Sequence, residues 1–399
     1  VRNAVIVDVV RTPSGRGKPG GALSGVHAVD LLALVLDAVT KRNALDPAKI
    51  DDVIAGCVVQ AGEQSLNIGR AGVLAAGWPE GVPATTVDRQ CGSSQQALHF
   101  AAQAIMSGTQ DVVIACGVES MSRVPMGSNV LGADTWGPRV RARFPDGFVN
   151  QGVAAELVAE RWKLSRTDLD EYAARSHRLA ALSAAGGGFD AETIPVAVAT
   201  VTGLEVDVTT DETLRASTTV ETLAALHPSF QNEEMESRFP DLDWKVTPGN
   251  SSPLTDGASA ALMMGEDVAA RLGLRPRAIV RHMAVAGGDP FLMLTAPVDA
   301  TRRVLARAGL TTDEIDAFEV NEAFASVPLM WSREMGVDVD RLNPRGGAIA
   351  LGHPLGASGL RVLATMLNHL EQNDLRYGLQ TICEAGGLAN ALIVERVKD

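Results

Sequence analysis

Gly92-Ser93-Ser94-Gln95-Gln96 opens as a turn, Ala97 to Met106 follows with an Ala-rich helical pattern, and Asp111-Val112-Val113-Ile114-Ala115 closes as an apolar strand. The same order returns late in the chain, as Gly356-Ala357-Ser358, a long helix, and Leu379-Gln380-Thr381-Ile382. Upstream of each stands a second matched pair. Asp30-Leu31-Leu32 to Val39 reads as an amphipathic helix before the strand Ile50-Asp51-Asp52-Val53-Ile54. Val298 to Ala308 reads as a helix before Ile315-Asp316-Ala317-Phe318-Glu319-Val320. Self-similarity on this scale points to a duplicated unit, and the alternation of strand and helix patterns to α/β halves rich in βαβ units.

Between the halves, residues 121–254 read differently. Pro and Trp are more frequent there, and Gly127, Gly132, Gly137, Pro138 and Gly147 mark loops. Helical patterns run from Ala154 to Trp162 and from Leu169 to Ala185, the second started by Ser165-Arg166-Thr167-Asp168. A loop-rich insertion of this size usually covers a site or makes an interface. The expected organisation is therefore 1–120 plus 255–275 as one half, 121–254 as a loop domain, and 276–399 as the second half.

Composition sets the outer bounds. A chain of 399 residues with 46% apolar content can bury several cores. The net charge of −13 argues against nucleic acid or an anionic membrane surface as the main partner. No apolar run reaches membrane-spanning length, and Val1-Arg2-Asn3-Ala4-Val5-Ile6-Val7 reads as a strand, not a signal peptide. The four cysteines, at 57, 91, 116 and 383, show no metal-pair spacing, so reduced thiols in the cytoplasm and no metal site are expected.

Chemistry concentrates at Cys91, between the strand-like Pro83–Val87 and the helix that follows. A thiol on a strand-to-helix turn lies near unpaired N–H groups and the positive end of the helix dipole, which favour the thiolate. Three further segments stand out: Asn321-Glu322-Ala323-Phe324-Ala325 after a strand, the Gly-rich run Gly346 to Gly359 around His353-Pro354, and Ile382-Cys383-Glu384-Ala385-Gly386-Gly387. Singly, each has an ordinary explanation, as a turn histidine, a helix cap or a core thiol like Cys57 and Cys116. Their placement at equivalent points of a repeated architecture makes a shared site the better account.

The Cys-Gly-Ser, Asn-Glu-Ala-Phe, Gly-His-Pro and late-Cys motifs, in that order, resemble the thiolases, acyl-CoA acyltransferases, over essentially the full chain from Arg11-Thr12-Pro13 onward. The resemblance implies two similar halves stacked as a five-layer αβαβα core, with the loop domain inserted. It implies thiolytic cleavage of a 3-ketoacyl-CoA, with CoA and acyl-CoA as substrates, no permanently bound cofactor, and a homodimer or homotetramer. By the same resemblance Cys91 is the acylated nucleophile, His353 its base, and Cys383 the acid for the leaving enolate and the base for incoming CoA. One oxyanion hole would use His353 with a water held by Asn321, and the other the backbone N–H groups of Cys91 and Ala385. Arg215, Ser252 and Phe324 match CoA-contacting positions, and Arg139, Arg141 and Arg143 could meet the CoA phosphates or a partner subunit.

The chain departs from the family pattern at three places. Ala385 stands where glycine is usual, Ser94 ends the Cys91 motif where glycine is usual, and Asn150-Gln151 replace the His-Met pair of short-chain biosynthetic thiolases. The last point favours a degradative enzyme, for bulky or branched chains such as steroid side-chain acyl groups. A biosynthetic acetyl-CoA acetyltransferase is the first alternative. A decarboxylating condensing enzyme would lack a second catalytic thiol, and a non-catalytic acyl-CoA or lipid binder would have lost one of Cys91, Asn321, His353 or Cys383.

Overall fold

The computed structural model describes residues 2–199 and 203–398. The first half runs β1 (Ala4–Arg11), the short β2 (Gly15–Arg16), α1 (Ala28–Arg42), β3 (Asp52–Gly56), α2 (Ile68–Ala75), β4 (Ala84–Val87), α3 (Ser93–Ser107) and β5 (Val112–Ser120). The middle segment supplies α4 (Gly137–Arg143), α5 (Gln151–Arg161), α6 (Arg166–Ala185), the hairpin β6 (Val196–Ala199) and β7 (Glu205–Val208), α7 (Val220–Ala224) and α8 (Glu233–Arg238). The chain then returns through β8 (Thr255–Gly265) and α9 (Glu266–Leu272) to complete the first half. The second half runs β9 (Ala278–Gly287), α10 (Ala296–Ala308), β10 (Ala317–Val320), α11 (Ser326–Met335), α12 (Ala348–Leu351), α13 (Ser358–Gln372), β11 (Tyr377–Glu384) and β12 (Leu388–Arg396). Val1 and Asp399, the ends of two stretches read from sequence, lie outside the described residues.

The repeat is visible in the pairing. In the first half β3 pairs in parallel with both β4 and β5, and β8 lies antiparallel between β5 and β1. In the second, β10 pairs in parallel with β11, and β12 lies antiparallel between β11 and β9. Val5 and Ile6 of β1 pair with Ile279 and Ala278 of β9, which joins the halves edge to edge.

Three apolar clusters define five layers. The outer face of the first half packs on α1 and α2, through Leu31, Leu32, Val35, Leu36 and Val73 against Val53, Ile114 and Leu262. The outer face of the second half packs on α10 and α11, through Val304, Met330 and Trp331 against Phe318, Leu379 and Ile393. Between the two halves of the continuous sheet, α3 and α13 form the middle layer, where Leu98, Ile105, Leu363 and Leu367 meet Ile6, Met263, Leu392 and Val394. Both central helices are buried over most of their length, with polar side chains such as Gln95 and His99 on α3 and Arg361 and Asn368 on α13 enclosed along with the apolar ones. Their closest approach uses a missing side chain: a Cβ on Gly359 would lie 2.3 Å from Gln95 N. The two helices therefore meet near their N-termini, and Leu360 N–H donates to Ser94 Oγ there at 3.2 Å.

Boundaries differ from the sequence reading by a few residues. The helix expected from Leu169 begins at Arg166, because Ser165 and Asp168 form a complete capping box. The helix expected from Ala154 begins at Gln151, because the Asn150 side chain caps it by accepting from Val153 N at 2.9 Å.

Candidate active site

Cys91 follows β4 on a tight turn and is 5% exposed. The turn is held by short contacts. Asp88 Oδ1 accepts from Gln90 N at 2.7 Å, Ser93 Oγ accepts from Arg89 N at 2.9 Å, and the same hydroxyl donates to Gln90 O at 2.6 Å. Gln90 itself sits at φ 48°, a left-handed conformation that costs a non-glycine residue on the order of 1 kcal/mol or more. Strain immediately before the thiol is a common mark of a reacting side chain aimed by its turn.

The segment leading into α13 carries His353, and the ends of β10 and β11 carry Asn321 and Cys383. His353 precedes α13, is 4% exposed, and shares a 2.7 Å hydrogen bond between Nδ1 and Ser358 Oγ. Its backbone N–H donates to Thr255 Oγ1 at 2.9 Å, while Nε2 is buried with no partner. Burial, with the Arg361 cation adding to it, pushes the imidazole down to about 3, so the ring is neutral at physiological pH. Asn321 follows β10, fixed by its N–H to Thr381 O at 3.0 Å, and both polar atoms of its buried side chain lack partners. Cys383 lies one residue from the end of β11, fully buried, its thiol pushed up to about 12 by burial and then by Glu384.

Cys91 corrects one expectation. Burial, with Cys383 and Glu384 adding to it, raises its thiol well above the ordinary range despite the nearby helix start. Gly92 intervenes as the N-cap residue of α3, so the sulfur lies outside the first turn, where the helix field falls off. Cys91 rests as a thiol, so ionisation has to accompany any reaction through its sulfur.

Cys91 and the Ala385-Gly386 turn open onto one cavity of about 780 Å³. Val58, Leu355 and Met293 line its inner part. The middle segment supplies an aromatic wall of Trp136, Phe144 and Phe148, with ring centroids 4.4 and 5.0 Å apart in successive pairs. Gln151, at the position of the missing His-Met pair, also lines it. The Ala385 substitution is accommodated because the left-handed positions of the β11–β12 turn fall on Gly386 (φ 81°) and Gly387 (φ 79°).

Of the expected CoA contacts, Arg141 lines this cavity, whereas Arg215, Ser252 and Phe324 do not. Ser252 spends its hydroxyl on Ala323 O at 3.0 Å, and Phe324 packs edge-on to Phe230 at 6.1 Å. Arg215 is exposed on the middle segment, its backbone N–H on His177 Nδ1. Arg139, Arg141 and Arg143 lie on α4, where Arg141 pairs with Asp134 at 2.9 Å.

Several supporting residues escaped the sequence reading. Glu322 accepts from Tyr172 Oη, Ser176 Oγ, Asn343 Nδ2 and Ile349 N, which ties the Asn321 segment to the loop that leads to His353. Glu119 accepts from Val58 N, Val59 N, Gly356 N and Gln64 Nε2, all between 2.9 and 3.1 Å. Ser358 could have been suspected from its place five residues after His353, but nothing local marks Glu119 as a partner of Gly356.

The first part of the chain, residues 4–267, matches the family model "Thiolase, N-terminal domain", and residues 274–396 match "Thiolase, C-terminal domain". The chain belongs to the thiolase family. It is 45% identical to the steroid 3-ketoacyl-CoA thiolase FadA6 of Mycobacterium tuberculosis, covering 99% of this chain and 94% of that protein. It is also 45% identical to a 3-ketoacyl-CoA thiolase of Serratia proteamaculans, over the full length of both. The crystal structure of the Bacillus anthracis acetyl-CoA acetyltransferase superposes with a TM-score of 0.88 at 34% identity, covering 99% of each chain. The five-layer reading of this thiolase thus stands on topology and on a solved structure together.

Neutral burial of His353 and His99, both pushed down to about 3, sets an acid limit. Each binds a proton more readily when unfolded, near 6.5, so its stabilising contribution is complete above that pH and is lost as pH falls toward 3. In urea unfolding between pH 7 and pH 5, each histidine is expected to remove about 1.4 kcal/mol of stability per pH unit below 6.5, read as the difference in slope between parent and variant because the raised carboxyls of Glu156 and Glu384 act in the opposite direction. His99→Gln should flatten that slope. Identical slopes for the variant and the parent would contradict this assignment.

Proposed function

We propose that this thiolase works in the degradative direction, cleaving a 3-ketoacyl-CoA to acetyl-CoA and a shortened acyl-CoA, with Cys91, His353, Cys383 and Asn321 as its catalytic residues. The observation that carries the reading is the set of unsatisfied groups at one end of the two central helices. A buried imidazole Nε2 and both ends of a buried amide lack partners, alongside two free buried thiols. Buried polar atoms left unpaired cost roughly 1–3 kcal/mol each, a cost that a proton reaching His353 Nε2 and a water at the Asn321 amide can relieve.

In this mechanism Cys91 Sγ attacks the 3-keto carbon as its proton passes to His353 Nε2. The Nδ1–H, donated to Ser358 Oγ, keeps the ring in the tautomer whose Nε2 is free to accept. The tetrahedral oxyanion is held by the Cys91 and Ala385 amides, and its collapse breaks the Cα–Cβ bond. The departing acetyl-CoA enolate is stabilised by His353 and an Asn321-held water, and takes its proton from Cys383 Sγ. The Cys383 thiolate then removes the thiol proton of incoming CoA, whose sulfur attacks the Cys91 thioester and releases the shortened acyl-CoA, while the departing Cys91 thiolate takes back its proton from His353. Removing one oxyanion donor is expected to cost on the order of 3 kcal/mol of barrier.

CoA and acyl-CoA enter as substrates, with no resident cofactor; Arg215, Ser252 and Phe324 are the proposed CoA contacts. The cavity supports a long or bulky acyl group, since about 780 Å³ with an aromatic wall far exceeds what an acetyl unit fills. The names of the relatives from M. tuberculosis and S. proteamaculans point the same way. The four free cysteines support a reducing, cytoplasmic setting. A homodimer or homotetramer is supported by β4, which pairs only with β3 and so leaves its outer edge open among the described residues. Sedimentation of the native protein at the mass of one chain would rule the oligomer out.

Incubation with acetyl-CoA should leave one acetyl group on Cys91, seen by peptide mass mapping and lost in Cys91→Ser. Cys383→Ser should still accept that label while thiolytic cleavage falls by about 10²–10⁴, the usual contribution of a general acid. Unlabelled wild-type protein that is well folded would defeat the mechanism. In steady-state kinetics, kcat/KM should be higher for long-chain or bulky 3-ketoacyl-CoAs than for acetoacetyl-CoA. The reverse order would favour the biosynthetic reading.

A further inference from the structure

One buried acid in the site has no part in the mechanism above. Glu384, between Cys383 and Ala385, is fully buried, yet neither of its carboxyl oxygens has a hydrogen-bond partner. Strand geometry turns it away from Cys383. Adjacent residues of β11 point to opposite faces, so Glu384 shares a face with Ile382, and Ile382 packs against Cys91. In register with Ile382 on the neighbouring strand stands Asn390.

This pair reaches the nucleophile's turn from below. Asn390 Nδ2 donates to Gly92 O at 3.0 Å. A Cβ on Gly92 would fall 2.0 Å from Glu384 Oε1 and 2.7 Å from Asn390 Nδ2. Gly92 has φ −90° and ψ 10°, which any residue adopts, so glycine is required here by the carboxyl beneath it and not by the backbone. The residue after the nucleophile is cut away to make room for Glu384.

An ionised carboxylate buried without a single donor is expensive, whereas the protonated acid is far less so and brings an O–H donor. Asn390 Oδ1 on the same face still lacks a donor. We propose that Glu384, with Asn390, is a positioning residue for Cys91: as a neutral acid it seats the Gly92 end of the nucleophile's turn, and its ionisation in alkali suppresses the thiol's reactivity. The inference rests on the assignment of Cys91 as the nucleophile.

The charges around Glu384 agree with this. Burial is the main force on its carboxyl, pushing it up to about 9, with Arg89 pulling it down and Asp88 pushing it up. Arg89 and Asp88 lie on the turn before α3; His99 on α3 faces Arg89, and β12 presents the uncharged Asn390. The two thiols complete the surroundings, and a Glu384 charge raises both. Glu119 of β5 also raises Cys91 but keeps four donors of its own. Glu384 is thus the acid near the nucleophile whose charge is left uncompensated by hydrogen bonds.

The test is the rate of Cys91 alkylation by iodoacetamide between pH 7 and pH 10, on the full chain, with the modified residue located by peptide mapping. Glu384→Gln and Glu384→Met keep the bulk and remove the titration. Glu384→Gln, which keeps a donor, should match the parent within about twofold at pH 7 and exceed it about tenfold at pH 10, as a one-unit difference in thiol pKa requires, whereas Glu384→Met, which loses the donor, should fall below the parent at pH 7. Superimposable profiles through pH 10 would reduce Glu384 to packing. A Gln variant already faster at pH 7 would show an ionised Glu384 paired with Arg89, and would also overturn the proposal. Arg89→Gln gives a second reading that keeps Glu384: its alkaline break should move to higher pH, and an unmoved break counts against the proposal. Failure of wild-type acetylation at Cys91 would reject the catalytic assignment alone, because the alkylation profiles still measure the hold of Glu384 on that thiol.

Discussion

The close approach of α3 and α13 in the middle layer is the contact on which the site depends. Helices normally pack with axes 8–10 Å apart, their side chains filling the gap. Here glycine removes the side chain at the crossing, with Gly359 set against the backbone of Gln95. Gly356 does the same just before α13, where a Cβ would fall 2.7 Å from both Gly56 O and Val118 O. Each half of the molecule contributes one helix, so each half brings one helix start to the shared end. Cys91 comes with α3 and His353 with α13.

Buried carboxylates hold the loops around that crossing. Glu119 collects donors from the segment after β3 and from Gly356, and so links the two halves through one side chain. Glu322 does the equivalent work between the Asn321 segment, α6 and the loop before His353. A buried acid with several N–H donors fixes backbone positions tightly, because each donor left unpaired would cost more than a kilocalorie. Glu384 is the contrasting case of a buried acid without donors, placed where its protonation state reaches both thiols. The chain therefore uses the same residue type for opposite purposes, as a fixed anchor at Glu119 and as a titratable seat at Glu384.

The sequence was most legible where a motif or a period is local. The repeated helix and strand patterns located the matched elements of each half, since hydrophobic periodicity is set by neighbours a few residues apart, while β8, β9, β12, α2, α9 and α11 went unread. Cys91, Asn321, His353 and Cys383 were recognisable from short motifs. The sequence was weaker on ionisation. The turn before α3 suggested a thiol primed as thiolate, whereas burial dominates and leaves it protonated. Desolvation depends on everything that covers a group, and no local stretch reports it.

The sequence by itself determined the duplicated α/β architecture, the thiolase family and the candidate reacting side chains, because those are written in periodicity and in adjacent residues. Tertiary structure alone decided which buried polar groups support them. The contact between Asn390 and Gly92 spans 298 residues of chain, and that between Glu119 and Gly356 spans 237. Hydrogen-bond satisfaction and desolvation are properties of a packed neighbourhood, and the neighbourhood of Cys91 is assembled from both halves of the molecule only when the two halves of the sheet close over α3 and α13.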